Sequence, residues 1–339
     1  MKMLVFGAVE DEKRKLMDLN AQAGKDGVKS IEFTDGSLEL GNAHLTKGFD
    51  CVWVTSNSQV SRRICEILSR NGVRYVVSRS AGCWHLDLNA LREFGISASH
   101  VPGYAPAAVS EHTIMMLLFL LRKMKQGQKK TDSYDYTLDG ICSRGLGSMT
   151  VGVYGTGQIG CKTIRALSGF GCRILAFSLH QREEAASLAE YVPEERLFQE
   201  SDAVVLHCPL VQSTYHLIDE RRIAQMKDRA ILVNTARGGI VDSEAVLKAL
   251  KRGKLSGYGF DACEEEKAFI RKSFLGPDFN ASVFLELCRR DDVVYTEHRA
   301  FYTEEAVQML LQQCLANAIE YQKTGRCSNE IQDQSYSLS

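Results

Sequence analysis

Arg237, Asp261, Glu266 and His298 each come shortly after a short apolar run in the second half of the sequence. If those runs are parallel strands, the four side chains meet at the carboxyl edge of one sheet, where ligands bind in such folds. A guanidinium at that edge can hold a carboxylate through two hydrogen bonds and polarise an adjacent carbonyl. A carboxylate that touches an imidazole favours the protonated ring, which can then act as a general acid.

A glycine-rich segment, Gly155-Thr156-Gly157-Gln158-Ile159-Gly160, has the G-x-G-x-x-G pattern of dinucleotide-binding loops. It follows an apolar run and opens an amphipathic stretch at 158–170, which is the context that the pattern requires. The first glycine permits the tight turn, the second lets the backbone approach a pyrophosphate, and the third lets the helix pack on the strand. The free N–H groups and dipole of the helix end favour the phosphates, so a dinucleotide cofactor is predicted.

The position that selects between NAD and NADP holds an unusual residue. The second strand of this series, residues 173–177, is followed by Ser178 and not by the acid that usually binds the ribose of NAD. Ser178, His180 and Arg182 together could receive a 2′-phosphate. Equally, Ser178 could hydrogen-bond the ribose of NAD while Arg182 points into solvent. The sequence leaves NAD and NADP open.

Short apolar runs alternate with amphipathic stretches along the chain, which predicts parallel strands joined by helices. The first series has runs at 4–6, 31–33, 51–54 and 75–77, and the second has runs at 151–154, 174–177, 203–206, 231–233, 258–260 and 293–295. We predict an α/β protein with two doubly wound parallel-sheet domains and a cleft between them. The first would be a flavodoxin-like substrate domain and the second a Rossmann cofactor domain.

The loop from Pro102 to Pro106 predicts the domain boundary, because a proline disfavours helix in the residue before it. The substrate domain would span residues 1–101 and be completed by 300–339, and residues 102–299 would bind the dinucleotide. The remaining segments are predicted as a long apolar helix at 107–124, an irregular connection at 131–148, a helix at 304–321 that packs on the first domain, and a mobile tail at 328–339.

Composition argues against several classes of protein. Lys and Arg total 41 against 42 Asp and Glu, so neither nucleic acid nor a membrane surface is an expected partner. The eleven cysteines are all more than ten positions apart, which predicts no local metal site and reduced thiols in a cytoplasmic protein. The longest apolar run, at 114–121, is too short to cross a bilayer, and the apolar amino terminus resembles a buried strand and not a signal peptide.

Taken together, these residues resemble the D-isomer-specific 2-hydroxyacid dehydrogenase family, and within it the branch of D-lactate and D-2-hydroxyisocaproate dehydrogenases. The resemblance covers nearly the whole chain. It is carried by Arg79-Ser80-Ala81-Gly82, the 101–106 loop with Glu111-His112, the glycine loop, His207-Cys208-Pro209-Leu210, the segment 234–238, and the segment 296–302. It implies an NAD(P)-dependent, reversible reduction of a 2-oxo acid to a D-2-hydroxy acid with a lactate-like or bulkier side chain. It also implies a homodimer.

The resemblance implies a role for individual residues. His298 would be the acid/base, Glu266 its partner, and Arg237 the clamp on the substrate carboxylate and carbonyl. The substrate would also meet the amides of Ala81 and Gly82, with Tyr104 and Phe301. Asp261 would hold the nicotinamide carboxamide, and Cys208 would contribute its backbone and not a nucleophile. The complete set of cofactor contacts would be Gly155, Gly157, Gln158, Ile159, Gly160, Ser178, Cys208, Pro209, Thr214, Thr235, Ala236 and Asp261.

Three positions depart from the pattern of the family. Ser178 replaces the ribose acid, Glu297 stands where proline is common, and residues 55–57 replace a bulky pocket residue, which predicts a pocket different from that for lactate. Two other functions stay open. Formate dehydrogenases place an amide beside the histidine, so Glu266 argues against that activity. A corepressor-like, nucleotide-sensing binding protein on the same fold could retain all these residues.

Overall fold

The computed structural model describes residues 1–270 and 282–331. The chain forms two compact units, unit 1 with Met1–Tyr104 and Thr303–Ser339, and unit 2 with Ala105–Tyr302. The domain boundaries expected from the sequence lie three residues before these boundaries. Within the described ranges, no helix is both long and apolar enough to cross a membrane.

The strands are short and alternate with helices. They are β1 (Lys2–Phe6), β2 (Ser30–Thr34), β3 (Cys51–Val54), β4 (Tyr75–Ser78), β5 (Ser97–Ser99), β6 (Thr150–Tyr154), β7 (Arg173–Phe177), β8 (Glu190–Tyr191), β9 (Ala203–Leu206), β10 (Ala230–Asn234), β11 (Leu255–Phe260) and β12 (Val293–Tyr295). The helices are α1 (Glu10–Gln22), α2 (Arg62–Arg70), α3 (Leu88–Glu93), α4 (Pro106–Leu121), α5 (Met124–Asp132), α6 (Gln158–Ser168), α7 (Glu183–Ala186), α8 (Glu194–Glu200), α9 (Glu220–Gln225), α10 (Ser243–Lys251), α11 (Ser282–Arg289) and α12 (Glu304–Thr324). Short 3-10 helices cover Gly24–Asp26, Ala43–Thr46, Leu146–Ser148, Gly238–Ile240 and Glu264–Ala268.

Unit 1 contains a parallel sheet with the strand order β2-β1-β3-β4-β5. This is the order of flavodoxin-like folds, so the predicted architecture of the first domain is confirmed. The strands β3 and β4 are buried at every residue, because helices cover both faces of the sheet. Helix α12 contributes Val307, Leu311 and Cys314 to the core beside β1 and β3, in agreement with the packing expected for the carboxyl-terminal helix.

Unit 2 contains a parallel sheet with the strand order β12-β11-β10-β9-β6-β7-β8. This is the doubly wound order of dinucleotide-binding domains, so the predicted Rossmann architecture is also confirmed. The strand order reverses between β6 and β9, and the carboxyl ends of such a pair flank the crevice where ligands bind. Two strands were missed by the sequence pattern, β5 and β8, because each has three or fewer residues and sits at a sheet edge.

The structure differs from the sequence-based expectation in three segments. The long apolar helix stops at Leu121 and not at Met124, because Lys123 adopts a left-handed φ of 49° and a second helix, α5, begins after it. Helix α5 extends to Asp132, so the irregular connection begins later than expected. The expectation of a mobile tail from residue 328 is wrong for residues 328–331. Glu330 pairs with Ser99, and the Ile331 N–H donates to the Ala98 carbonyl at 2.9 Å. The rest of that expected tail, 332–339, lies outside the described residues.

A buried polar chain follows β4. His85 is 3% exposed, and its Nε2 lies 2.9 Å from Ser78 Oγ. Ser78 Oγ lies 2.8 Å from Ser80 Oγ, which donates to the Gly82 carbonyl at 2.7 Å. Because the last hydroxyl proton goes to a carbonyl, Ser78 donates to Ser80 and the Nε2–H of His85 donates to Ser78. Burial lowers the pKa of His85 from 6.5 to about 4, which keeps this ring neutral at neutral pH.

This lowered pKa makes the stability of unit 1 depend on pH. Between pH 6.5 and about 4 the unfolded His85 binds a proton that the folded residue does not bind, so stability is lost as the pH falls through this window. From pH 7 to pH 5, the wild type should lose about 2 kcal/mol more unfolding free energy than His85→Gln, which keeps a donor but does not titrate. Both tryptophans, Trp53 and Trp84, lie in unit 1, so urea unfolding followed by tryptophan fluorescence reports on this unit. Equal pH dependence of the two proteins would contradict the assignment.

Candidate active site

The glycine loop joins β6 to α6 and is held by close backbone contacts. Gly155 has a φ of 97°, and a Cβ at this position would lie 2.8 Å from the His207 carbonyl carbon. A Cβ on Gly160 would lie 2.0 Å from the Gly155 carbonyl oxygen. Any side chain at either position would therefore push the loop away from β9 or the helix away from the loop.

Gly157 differs from these two glycines, because a Cβ at this position would meet nothing within 4 Å. It is the residue before the first turn of α6, where backbone N–H groups have no partner within the helix. The loop thus presents open space and free donors at a helix amino end, next to the point where the strand order reverses. This cradle fits the pyrophosphate of a dinucleotide. Gln158 and Ile159 supply N–H groups of that first turn.

The loop after β7 is tied to the glycine loop by a short polar network. Thr156 Oγ1 donates to the His180 carbonyl at 3.4 Å, and Tyr191 Oη donates to Thr156 Oγ1 at 2.7 Å. The Arg182 N–H donates to the same Tyr191 oxygen at 3.0 Å. Ser178 is partly exposed at the start of this loop. The sequence pattern did not identify Thr156 and Tyr191, since their pairing depends on the fold.

The segment after β9 carries Cys208, Pro209 and Thr214. Burial raises the pKa of the Cys208 thiol to about 12, so the thiol stays protonated and is a poor nucleophile. Thr214 Oγ1 donates to the Pro209 carbonyl at 2.6 Å and accepts from the Val211 N–H at 2.8 Å. These bonds fix the turn that follows the strand and support a backbone role for this segment.

Arg237 lies in the turn after β10, and the buried side chain of Asn234 brackets that turn. Asn234 Nδ2 donates to the Arg237 carbonyl at 2.9 Å, and Asn234 Oδ1 accepts from the Ala236 N–H at 3.0 Å. A Cβ on Gly238 would lie 2.2 Å from the Cys263 carbonyl carbon, so only glycine lets this turn pack on the segment that leads to Glu266. The neighbouring Thr235 Oγ1 lies 2.7 Å from Thr113 Oγ1 of α4, and this contact ties the same turn to that helix.

Asp261 follows β11 and is 2% exposed. Its carboxylate accepts hydrogen bonds from Thr296 Oγ1, from the Arg299 N–H at 3.0 Å and from the Ala300 N–H at 2.9 Å. Its backbone carbonyl accepts from the His298 N–H at 2.8 Å. The structure thus assigns Asp261 to the turn that carries His298, and a contact with the nicotinamide carboxamide stays a prediction.

His298 has a left-handed φ of 52°, a conformation that the bonds to Asp261 hold in place. Its Nδ1 lies 2.9 Å from Glu266 Oε1, and the two side chains are 27% and 16% exposed. Because a carboxylate only accepts, Nδ1 carries a proton, and Nε2 lies on the opposite edge of the ring. The ladders β10–β11 and β11–β12 bring Arg237, Glu266 and His298 to one sheet edge, as the sequence predicts.

His112 on α4 joins the hydrogen bonds of Thr296 and Asp261, and this role was not indicated by the sequence. Its Nε2 lies 2.9 Å from Thr296 Oγ1. The Thr296 hydroxyl gives its proton to Asp261, so His112 Nε2 is the donor. Burial lowers the pKa of His112, although the nearby Asp261 opposes that effect. A neutral His112 with its proton on Nε2 therefore supports the Asp261 turn.

The remaining substrate-binding candidates belong to different units. Ala81, Gly82 and Tyr104 lie in unit 1, and Phe301 lies in unit 2 together with Arg237. Phe301 makes an edge contact with the ring of Tyr302, with the ring centroids 5.8 Å apart. Ala81 is exposed and Gly82 is partly exposed, in the turn after β4.

Comparisons with known proteins give consistent results. A family model for the "D-isomer specific 2-hydroxyacid dehydrogenase, NAD binding domain" matches residues 114–300. The chain is 36% identical to D-lactate dehydrogenase of Escherichia coli (strain K12), over 98% of this chain and 100% of that protein. It is 33% identical to an aromatic 2-oxoacid reductase of Clostridium sporogenes, over 97% of this chain and 99% of that protein. The solved structure of D-2-hydroxyisocaproate dehydrogenase superposes with a TM-score of 0.88 at 31% identity and covers 98% of this chain and 99% of that one.

The two glycines of the loop should respond differently to alanine. Gly160→Ala should lower the free energy of unfolding by about 1–3 kcal/mol, because the new methyl group clashes with the Gly155 carbonyl. Gly157→Ala should unfold like the wild type but bind NADH about ten-fold more weakly or worse, because its methyl group occupies the space of the phosphates. Thermal unfolding and NADH fluorescence titration measure the two effects. Wild-type NADH affinity in Gly157→Ala would contradict this location for the pyrophosphate.

Proposed function

We infer that the chain, which belongs to the D-isomer-specific 2-hydroxyacid dehydrogenase family, reversibly reduces a small 2-oxo acid to a D-2-hydroxy acid with a nicotinamide dinucleotide. The observation that carries this inference is the 2.9 Å contact of His298 with Glu266 at the sheet edge where the glycine loop also lies. The relatives reported above are named as dehydrogenases or reductases, so the alternative of a corepressor-like binding protein is not favoured. The Glu266 carboxylate likewise disfavours formate dehydrogenase chemistry.

The reaction in the reductive direction balances with one proton from the protein. When bound, a reduced nicotinamide would supply a hydride, which is a hydrogen with two electrons, and would itself be oxidised. The C2 carbon of the 2-oxo acid would gain this hydride, and the electron pair of the C=O bond would move onto the oxygen. That oxygen takes a proton from Nε2 of His298, which gives the 2-hydroxy acid. Oxidation runs through the same steps in reverse.

Glu266 prepares His298 for this proton transfer. Its carboxylate accepts from Nδ1–H at 2.9 Å, which fixes the tautomer and the plane of the ring. Because the Nδ1–H is held by Glu266, the proton that is given comes from Nε2. The pair therefore has the arrangement that a general acid needs.

Arg237 is proposed to hold the substrate carboxylate and the carbonyl oxygen. One of its five donors, on Nη1, already donates to the Ala236 carbonyl at 2.9 Å, which orients the guanidinium relative to its own turn. The remaining donors form a planar fork that suits a carboxylate. Negative charge develops on the carbonyl oxygen as the hydride adds, and a fixed cation beside it lowers the barrier.

The other contacts are proposed from the resemblance, with support from the local structure. The N–H groups of Ala81 and Gly82, together with Tyr104, would bind the substrate carboxylate, and Phe301 would contact the substrate side chain. The Asp261 carboxylate would accept a hydrogen bond from the nicotinamide carboxamide. The same carboxylate already accepts the bonds that hold the His298 turn. The remaining cofactor contacts would come from the glycine loop, from Ser178, and from the turns that contain Cys208, Pro209, Thr214, Thr235 and Ala236.

We propose NAD(H) as the preferred cofactor, with NADP(H) tolerated. The hydroxyl of Ser178 can bond a ribose hydroxyl, but it does not repel a 2′-phosphate as a carboxylate does. His180 and Arg182 are exposed in the same loop, close to where such a phosphate would lie. A homodimer and a cytoplasmic location stay predictions from the sequence.

Initial rates with purified protein test the function. Pyruvate, 4-methyl-2-oxopentanoate and phenylpyruvate are each combined with NADH and with NADPH. Turnover is expected with at least one acid, faster with NADH than with NADPH, and Ser178→Asp should selectively lower the NADPH rate. No turnover in any of the six combinations would contradict the proposed function, and equal loss of both cofactors in Ser178→Asp would contradict the role of Ser178.

Arg237→Lys should lower kcat/KM for the best 2-oxo acid by about 100-fold or more, because an ammonium group cannot reproduce the planar fork. NADH binding should be unchanged. The control is Arg252→Lys, an exposed arginine after α10 in the same unit, which should keep wild-type rates. Near-normal turnover by Arg237→Lys would remove Arg237 from the mechanism.

A further inference from the structure

Three successive carbonyl groups in the turn after β4 each accept a hydrogen bond from a different donor. The Ser80 carbonyl accepts from the Val101 N–H at 3.0 Å. The Ala81 carbonyl accepts from Nδ1 of His100 at 2.8 Å. The Gly82 carbonyl accepts from Ser80 Oγ at 2.7 Å. The Ser80 and Ala81 carbonyl oxygens therefore point toward the segment that contains His100 and Val101, and the Gly82 carbonyl is held from within the turn.

These bonds also set the direction of the N–H groups. In a trans peptide the C=O and the following N–H point in opposite directions. When Val101 holds the Ser80 carbonyl and His100 holds the Ala81 carbonyl, the N–H groups of Ala81 and Gly82 point away from those donors. Among residues 1–270 and 282–331, neither of these two N–H groups donates a hydrogen bond. Successive outward N–H groups of this kind form a concavity that binds anions.

The backbone of His100 is itself fixed from the carboxyl-terminal end of the chain. The His100 N–H donates to the Asn329 carbonyl at 3.2 Å. Asn317 of α12 is 2% exposed, and its Nδ2 donates to the His100 carbonyl at 3.0 Å. Asn329 Nδ2 donates in turn to Asn317 Oδ1 at 2.9 Å. His100 thus reaches the turn from a backbone that is held on both sides.

We propose that His100 is a positioning residue whose Nδ1–H orients the Ala81–Gly82 peptide, so that the Gly82 N–H faces the carboxylate of the substrate. This assignment rests on the proposed function, in which the amides of Ala81 and Gly82 bind that carboxylate. His100 acts through the peptide and does not touch the substrate. Without its donor, the peptide can rotate, and its carbonyl oxygen would then repel the carboxylate.

A matched pair of substitutions tests this role. Asn and Leu have nearly the same shape, but only Asn carries a donor at the same number of bonds from Cβ as Nδ1 of histidine. His100→Leu should raise KM for the 2-oxo acid about ten-fold or more, the effect of losing one hydrogen bond to a charged group. Its kcat and its KM for NADH should change little. His100→Asn should restore a KM close to that of the wild type.

The measurement uses the full chain and whichever of pyruvate, 4-methyl-2-oxopentanoate and phenylpyruvate the wild type reduces fastest. His44→Leu, at an exposed histidine of the same unit, is the control and should behave like the wild type. Tryptophan fluorescence checks that each variant is folded. If His100→Leu does not fold, His100→Gln replaces it, since its donor lies one bond farther out and a raised KM is again expected.

Several outcomes would overturn the assignment. An unchanged KM in His100→Leu, or a KM in His100→Asn as high as in His100→Leu, removes the role of the Nδ1 donor. If kcat falls and the KM values for the 2-oxo acid and for NADH both rise by similar factors, His100 has only a structural role, and the assignment is again overturned. In each of these cases the wild type still turns over, so the proposed function stands. No turnover by the wild type would overturn the proposed function and this assignment together.

Discussion

The buried carboxylate of Asp261 holds the turn on which His298 sits. It accepts from Thr296 Oγ1 and from the N–H groups of Arg299 and Ala300, so a charge that is 2% exposed has three donors and stays satisfied. His298 can adopt a left-handed φ of 52° because these bonds compensate the strain of that conformation. In that conformation the His298 imidazole lies 2.9 Å from Glu266, which belongs to the segment after the neighbouring strand β11.

The parallel sheet of unit 2 provides the second constraint. Every strand runs in the same direction, so the glycine loop, Arg237, Asp261 and His298 all follow strand ends at one edge. The spacing of the strands alone does not determine how closely the turns of the site pack on one another. Gly238 lets the Arg237 turn pack directly on the Cys263 backbone, and Gly160 lets α6 pack on the glycine loop. Close backbone contacts at glycines thus determine how near the reactive segments lie to one another.

Most of the strands and several residues of the candidate site could be predicted from the sequence, for physical reasons. Fully buried parallel strands give continuous apolar runs, so β3, β4, β9 and β10 were visible. The glycine loop and Arg237 have local sequence context that reveals their position. By contrast, β5 and β8 are short and partly polar, and Lys123 ends α4 by a backbone conformation that no composition signals. The hydrogen bonds of His112, Tyr191 and His100 join residues far apart in the chain, so they become visible only in the folded structure.

His298 is proposed to give the proton that accompanies hydride transfer. A single-turnover experiment tests this role directly, with enzyme and NADH in excess over the best 2-oxo acid and the loss of NADH absorbance followed in time. His298→Gln keeps a polar side chain but cannot donate an acidic proton, so the rate of NADH consumption should fall by about 10²–10⁴-fold while NADH affinity is unchanged. A wild-type rate in His298→Gln would contradict the account.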